Sequence, residues 1–365
     1  KTIISMSWLR LVASDRGKFA FAFAATTLLL GCAEDPNASA FRERLAQPIP
    51  LQTHQDRDIS AREPIRALTP QSTEPNALAR LGQRLFHDVR LSGDQSISCA
   101  SCHDLAAGGA DGARSSVGID GQRGNINAPT VLNATFNFRQ FWDGRAANLA
   151  EQALEPVTNP VEMGAQWPGV VETLRTMPAY HSAFTLAFGD PNVSALRIVT
   201  ALAEFEATLV TPSDFDRFLL GDTHAIDSSA QRGYELFKDY GCVACHQGIN
   251  VGGNLFQKFG ALQAIPSAEH KRTDRGRANV TEQARDIGVF KVPSLRNVAL
   301  TAPYFHDGSV PDLGTAIRVM AATQLGTGIP SSDVEAIESF LNSLTGRPSE
   351  ATRVTSAPLA RSPAR

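Results

Sequence analysis

Apolar residues recur at helical spacing in several stretches of this 365-residue chain. After Asn76 come Leu78, Leu81, Leu85 and Phe86, a spacing that predicts a helix leading toward residue 99. Residues 149–155 and 194–210 read as helices, the second carrying Leu196, Val199, Ala203 and Leu209 with few breakers. Thr315 to Ala322 reads as a short helix holding Met320. Ser332-x-x-Glu335 is a capping box that opens a last helix, with Val334, Ile337, Leu341 and Leu344 on one face and a stop near Gly346. The glycine-rich polar stretches 108–127 and 250–288 read as loops, and 211–229 as a join. Gly82-x-x-Leu85-Phe86 returns as Gly233-x-x-Leu236-Phe237, an internal repeat. The pattern predicts a mainly α fold of two tandem domains with long loops, over 66–225 and 226–347.

The two ends read differently. Lys1, Arg10, Arg16 and Lys18 flank or precede an apolar run from Phe19 to Leu30, too short to span a bilayer and suited to a signal peptide over 1–31. It ends Leu29-Leu30-Gly31-Cys32, which resembles a bacterial lipobox and predicts a lipid anchor on Cys32; an ordinary secretory signal is the alternative. Residues 32–65 read as a polar tether and 348–365 as a disordered tail.

The chemistry concentrates in two short turns. Cys99-Ala100-Ser101-Cys102-His103 and Cys242-Val243-Ala244-Cys245-His246 both read Cys-x-x-Cys-His, the c-type haem attachment signature. Two thiols on one turn meet two vinyl groups on one porphyrin edge, and the following histidine reaches the iron. A zinc knuckle or a redox dithiol is the competing reading of one copy. Two copies 143 residues apart, with only Cys32 left over, disfavour it. The expected cofactors are therefore two covalent haem c groups, one in each of two cytochrome c-type domains. Such attachment implies the periplasm. The net charge of −3, or −6 once residues 1–31 are removed, shows no basic stripe for nucleic acid. An acidic face could favour a basic electron donor.

Several further stretches resemble the bacterial dihaem cytochrome c peroxidases. They are Asn127-Ala128-Pro129-Thr130-Val131-Leu132-Asn133, Gln140-Phe141-Trp142-Asp143-Gly144-Arg145, Asn159-Pro160-Val161-Glu162-Met163, Val292-Pro293-Ser294-Leu295-Arg296-Asn297-Val298 and 301–308. They cover roughly residues 70–347 in the family's order. The resemblance implies a peroxide-reducing, low-potential haem on His103 and an electron-accepting, high-potential haem on His246 with Met320 as its sixth ligand. It implies Glu162 as acid–base, Gln152 as the amide that orients peroxide and Trp142 as the bridge between haems. It also implies a calcium site at Asn127, Thr301 and Pro303. His306 is expected to touch a haem propionate or to be structural. Hydrogen peroxide and a small c-type cytochrome are the implied partners. The family often forms homodimers, and nothing in the sequence decides this.

One position departs from the pattern. Many family members keep a histidine sixteen residues after the proximal one, where it caps the peroxidatic iron until the other haem is reduced. Here that position is Ile119. The expectation is an open or water-bound site on His103 without reductive activation. A dihaem oxidase acting on a partner protein, like the methylamine-utilisation maturation enzyme, is the alternative. That enzyme also lacks the capping histidine but carries tyrosine where Met320 stands. A plain electron carrier is disfavoured by Glu162 and Gln152.

Overall fold

Helix α1 (Ala77–Phe86) begins where Asn76 Oδ1 accepts from Ala79 N at 2.8 Å and buries Leu81, Leu85 and Phe86. The computed structural model describes residues 63–69, 74–263 and 274–348. The expected signal peptide, Cys32, most of the tether and the tail from residue 349 lie outside them. Among the described residues no helix is long and apolar enough to cross a membrane.

After the short haem-motif helix α2 (Cys99–Cys102) come α3 (Leu149–Thr158), α4 (Trp167–Arg175), α5 (Pro178–Phe188) and α6 (Ala195–Ala207). They close a first hydrophobic core around Leu85, Leu174, Phe184, Ile198 and Phe205. Helices α7 (Asp214–Leu219), α8 (Ser228–Asp239), α9 (Ala278–Thr281), α10 (Leu313–Met320) and α11 (Ser331–Ser343) follow. A second core forms around Phe215, Tyr234, Phe237, Ile337 and Phe340. The strands are three residues each: β1 (Phe256–Lys258) pairs antiparallel with β2 (Val289–Lys291), with Phe256 opposite Lys291.

The internal repeat has a packing cause. A Cβ on Gly82 would lie 1.8 Å from the Ala201 carbonyl oxygen, and one on Gly233 would lie 1.9 Å from that of Ala336. In each half the glycine lets the helix before the haem motif press against the last helix of its core, α1 on α6 and α8 on α11.

Several elements differ from the sequence reading. Helices α4 and α5 fall where no helix was expected; Pro168 and Pro178 sit in their first turns, so proline opens these helices rather than breaking them. The loop expected at 250–288 holds β1 and α9, and the join at 211–229 holds α7. Ser332 lies inside α11, whose N-cap is Pro330 with no side-chain cap. The helix expected over 315–322 begins at Leu313 and gives way after Met320 to one π-helical turn, Ala321–Leu325.

Ile65, read as the end of the tether, is fully buried in the second core. Arg66 N donates to the Gly248 carbonyl at 3.3 Å and Leu68 N to Asp216 Oδ1 at 2.7 Å. The fully buried Arg296 pairs with Asp216 through two 2.8 Å bonds and reaches the Arg66 carbonyl at 3.2 Å. The stretch around Ile65 thus packs with the second half of the chain, ahead of the residues of the first.

Candidate active site

The first cavity, about 380 Å³, is built on α2. Ser101 Oγ accepts from Ser98 N at 2.9 Å, and His103 N donates to the Cys99 carbonyl at 3.0 Å. This turn brings Cys99, Cys102 and His103 to one wall. The imidazole is partly buried, and its desolvation pushes its pKa down and keeps it neutral. His103 Nδ1 lies 3.2 Å from the Gly109 carbonyl oxygen; with the proton there, Nε2 keeps its lone pair for a metal. Gly109 has φ +75°, and a Cβ would meet Thr130 Oγ1 at 2.7 Å, so only glycine brings its carbonyl so close.

Glu162 and Gln152 border the same cavity. Gln152 stands on α3, and Glu162 sits in the turn that ends this helix, where Glu162 N donates to the Asn159 carbonyl at 3.0 Å. Asn159 Nδ2 donates to Glu162 Oε1 at 2.7 Å. Burial raises the Glu162 carboxyl above the usual carboxylate range; the Asn159 bond and the Arg145 charge oppose that only in part.

Ile119 is not in this wall, although its neighbours Ser116 and Gly118 are. Ile119 N donates to the Glu162 carbonyl at 2.8 Å, and its Cδ1 would lie 2.2 Å from a Cβ on Gly164. The side chain therefore packs on the turn that carries Glu162.

The second cavity, about 430 Å³, repeats the design. Helix α8 ends at Asp239; Gly241, in the left-handed region (φ +85°), then opens a single 3₁₀ turn, Cys242–Ala244. His246 N donates to the Cys242 carbonyl at 3.0 Å, as in the first motif. Cys242, Cys245, His246 and Met320 all line the cavity. Burial pushes the His246 imidazole down to about 4. Gly252 (φ +124°) leaves room beside it: a Cβ would lie 3.3 Å from His246 Nδ1 and 2.2 Å from the Pro293 oxygen. Met320 precedes the π-helical turn, a distortion common at functional sites.

Trp142 and residues 127–130 border both cavities. Trp142 Nε1 donates to the Asn127 carbonyl at 3.0 Å, and the Trp142 carbonyl accepts from Lys291 N at 2.8 Å. The indole meets His306 edge-on at 6.3 Å between ring centres. His306 stacks on Phe290 at 4.1 Å and lies 3.5 Å from Asp274. Asn127, Thr301 and Pro303 share the wall of the second cavity, and Asn127 Nδ2 donates to the Ala113 carbonyl at 2.9 Å.

Two charged residues escaped the sequence reading. Glu206 lies in the first wall, where burial pushes its carboxyl up to about 8. Its trace in the sequence is an acid four residues after Leu202 on an apolar helical face. Lys291 lies in the second wall, and nothing in the local pattern Val289-Phe290-Lys291-Val292 marks it as buried.

A haem fits each cavity. The imidazoles are neutral, and burial holds Cys99 at about 12, Cys242 at about 11 and Cys102 above its usual value, so these thiols stay protonated. Such thiols are poor redox nucleophiles, and among the described residues no three His, Cys, Asp or Glu side chains converge on a metal ion. The dithiol and zinc readings lose their support.

The model of the di-haem cytochrome c peroxidase family matches residues 76–224. A cytochrome c551 peroxidase of Nitrosomonas europaea is 46% identical over 285 residues, covering 78% of this chain and 84% of that protein. The methylamine utilization protein MauG of Methylophilus methylotrophus is 36% identical over 264 residues, covering 71% of this chain and 77% of that protein. A solved structure of a MauG-like protein associated with microbial copper homeostasis superposes with a TM-score of 0.67 at 27% identity, over 80% of this chain and 96% of that one. With a helical scaffold and two such cavities sharing one wall, the chain belongs to the di-haem cytochrome c peroxidase family.

Proposed function

We propose that the protein reduces hydrogen peroxide to water with electrons from a small c-type cytochrome. The observation that carries this is Glu162, a half-buried carboxyl lining the cavity of the first haem motif, raised by desolvation. Cys99, Cys102 and His103 would hold one haem, and Cys242, Cys245, His246 and Met320 the other. When bound, the haem beside His103 would supply the iron for peroxide and the one beside His246 a store of electrons. Glu162 Oε2 takes the proton of the inner peroxide oxygen and returns it to the outer one, which leaves as water. Asn159, bonded to Oε1, keeps the carboxyl turned toward the cavity. The Gln152 amide orients peroxide. Two electrons and two further protons complete the second water. Trp142, held at both ends, carries electrons between the cavities.

The reading extends to the rest of the chain. One haem lobe comprises roughly residues 76–210, the other 211–347 with the stretch around Ile65. Calcium binds near Asn127, Thr301 and Pro303 through carbonyl and amide oxygens. The protein works in the periplasm, tethered by lipid on Cys32, and Ile119 leaves the first site open in the oxidised form.

The test is peroxide-dependent oxidation of ferrocytochrome c by the oxidised holoprotein, with and without half-reduction. Fast turnover in both cases is expected. Turnover only after half-reduction would overturn the open site. A peroxide-induced spectral change without turnover would favour a partner-protein oxidase, the reading to which the MauG relative points and against which Met320 speaks.

A further inference from the structure

The two cavities differ in charge. The described wall of the first holds four carboxyl groups, Asp143, Glu162, Glu206 and Asp274, and one guanidinium, Arg145. Among Lys, Arg, Asp and Glu, the described wall of the second holds Lys291 alone.

Lys291 is 6% exposed. Its backbone is spent on the fold: the N–H donates to Trp142, and the strand pairs with β1. Its ammonium has no hydrogen bond, ion pair or aromatic partner among the described residues. Burial alone pushes the amine down, to about 8. A buried ammonium without a counter-charge is costly, and natural chains keep one where something brings the anion. The second cavity has no carboxylate of its own in its described wall. A haem in that cavity would bring two, and the rest of the described wall offers apolar and neutral groups.

We infer that Lys291 is a cofactor-binding residue that pairs with a haem carboxylate in the second cavity and raises the reduction potential there. This rests on the proposed two-haem reading. The lysine neutralises charge that would otherwise favour the oxidised iron, while the first cavity, rich in carboxyls, has no such lone cation. Electrons entering from a donor therefore settle first on the His246 side. Met320 contributes in the same direction, and Lys291 acts independently of it. Because Lys291 bonds the Trp142 backbone, the charged end of this cavity is fixed to the wall through which the electron leaves.

The experiment uses the haem-loaded full chain with Lys291→Met and Lys291→Arg. Haem content comes first: one haem per chain in the unaltered protein would sink the two-haem reading itself, independently of Lys291. Each potential is then measured by spectroelectrochemical titration. Lys291→Met is expected to shift the reduction equilibrium of the His246 site at least tenfold toward the oxidised form, which is 59 mV for one electron. The His103 site should stay where it is, and Lys291→Arg should recover most of the shift. An unchanged His246 potential in a fully loaded Lys291→Met protein would overturn the inference. Should Lys291→Met fail to load, resonance Raman decides: a carboxylate bending band that differs between the unaltered protein and Lys291→Arg supports the pairing, and identical bands refute it.

Discussion

Asn133 and Asn297, 164 residues apart in sequence, donate their side-chain amides to the same hydroxyl, Thr211 Oγ1, at 2.7 and 2.8 Å. Both asparagines take the left-handed conformation, φ 60° and 61°, and both open a 3₁₀ turn. Their side-chain oxygens are matched as well: Asn133 Oδ1 accepts from Thr211 N and Asn297 Oδ1 from Gly346 N, each at 2.9 Å. Thr211 follows α6 and Gly346 follows α11, so the two halves of the repeat meet at one threonine.

That threonine is fully buried. Replacing its hydroxyl by a methyl keeps the volume and strands two buried amide donors. Thr211→Val should destabilise the holoprotein by about 2–5 kcal/mol, the cost of two unsatisfied groups, and Thr211→Ser should recover most of it. Denaturant unfolding of the three proteins measures this. A Val variant within 0.5 kcal/mol, on the order of an ordinary surface change, would show that the halves are held by packing alone.

Glu162→Gln keeps the shape and the Asn159 contact but removes the proton carrier. Peroxide turnover should fall by about 10²–10⁴, with both haem spectra unchanged. Because burial raises this carboxyl, the unaltered enzyme should lose activity as pH falls through a value above the usual carboxylate range. The Gln variant should lack that limb of the pH–rate profile. Retention of the limb would assign it to another group.

The helices with a clean apolar stripe, α1, α6 and α11, were legible in the sequence, because one face of each packs into a core. So were the two haem turns and the glycine repeat, which are local in the chain. Helices α4 and α5 were not, because Pro168 and Pro178 read as breaks where they serve as starts. The capping box at Ser332 was a false signal, since the helix already begins at Ser331. The family motifs brought Glu162, Gln152 and Trp142 forward, and the fold gathers them about one cavity. Glu206 and Lys291 stayed hidden because their unpaired burial is a property of tertiary packing, and the place of Ile65 in the second core depends on partners nearly 150 residues or more away, such as Asp216 and Gly248.

Glu206 gives a stability test. Folded, it holds its proton up to about 8; unfolded, it releases it near 4.5. Its stabilising share is therefore complete below about pH 4.5 and is lost as pH rises through 8. Glu206→Gln removes the ionisation. The variant should match the unaltered holoprotein at pH 4.5 and exceed it at pH 7, by up to about 3 kcal/mol from the separation of the two pKa values. Parallel stability–pH curves for the two proteins would mean that the carboxylate has a counter-charge in the loaded cavity.

The loop around Ile119 is stitched to the turn that carries Glu162. Ile119 N bonds the Glu162 carbonyl at 2.8 Å, Gln122 Nε2 bonds the Pro160 carbonyl at 3.2 Å, and a Cβ on Gly118 would lie 2.2 Å from the Val161 oxygen. A residue at 119 thus faces Gly164 and not the cavity. The oxidised holoprotein should show one high-spin site and one low-spin site in its electronic and paramagnetic resonance spectra. Ile119→His tests the cause. If the hydrogen bonds hold the loop in place, the new imidazole has no path into the cavity, the high-spin signal persists, and turnover without half-reduction is kept. If the substitution turns both sites low-spin and makes turnover depend on half-reduction, the loop is free to swing, and the identity of one side chain at 119 decides whether the enzyme rests open or closed.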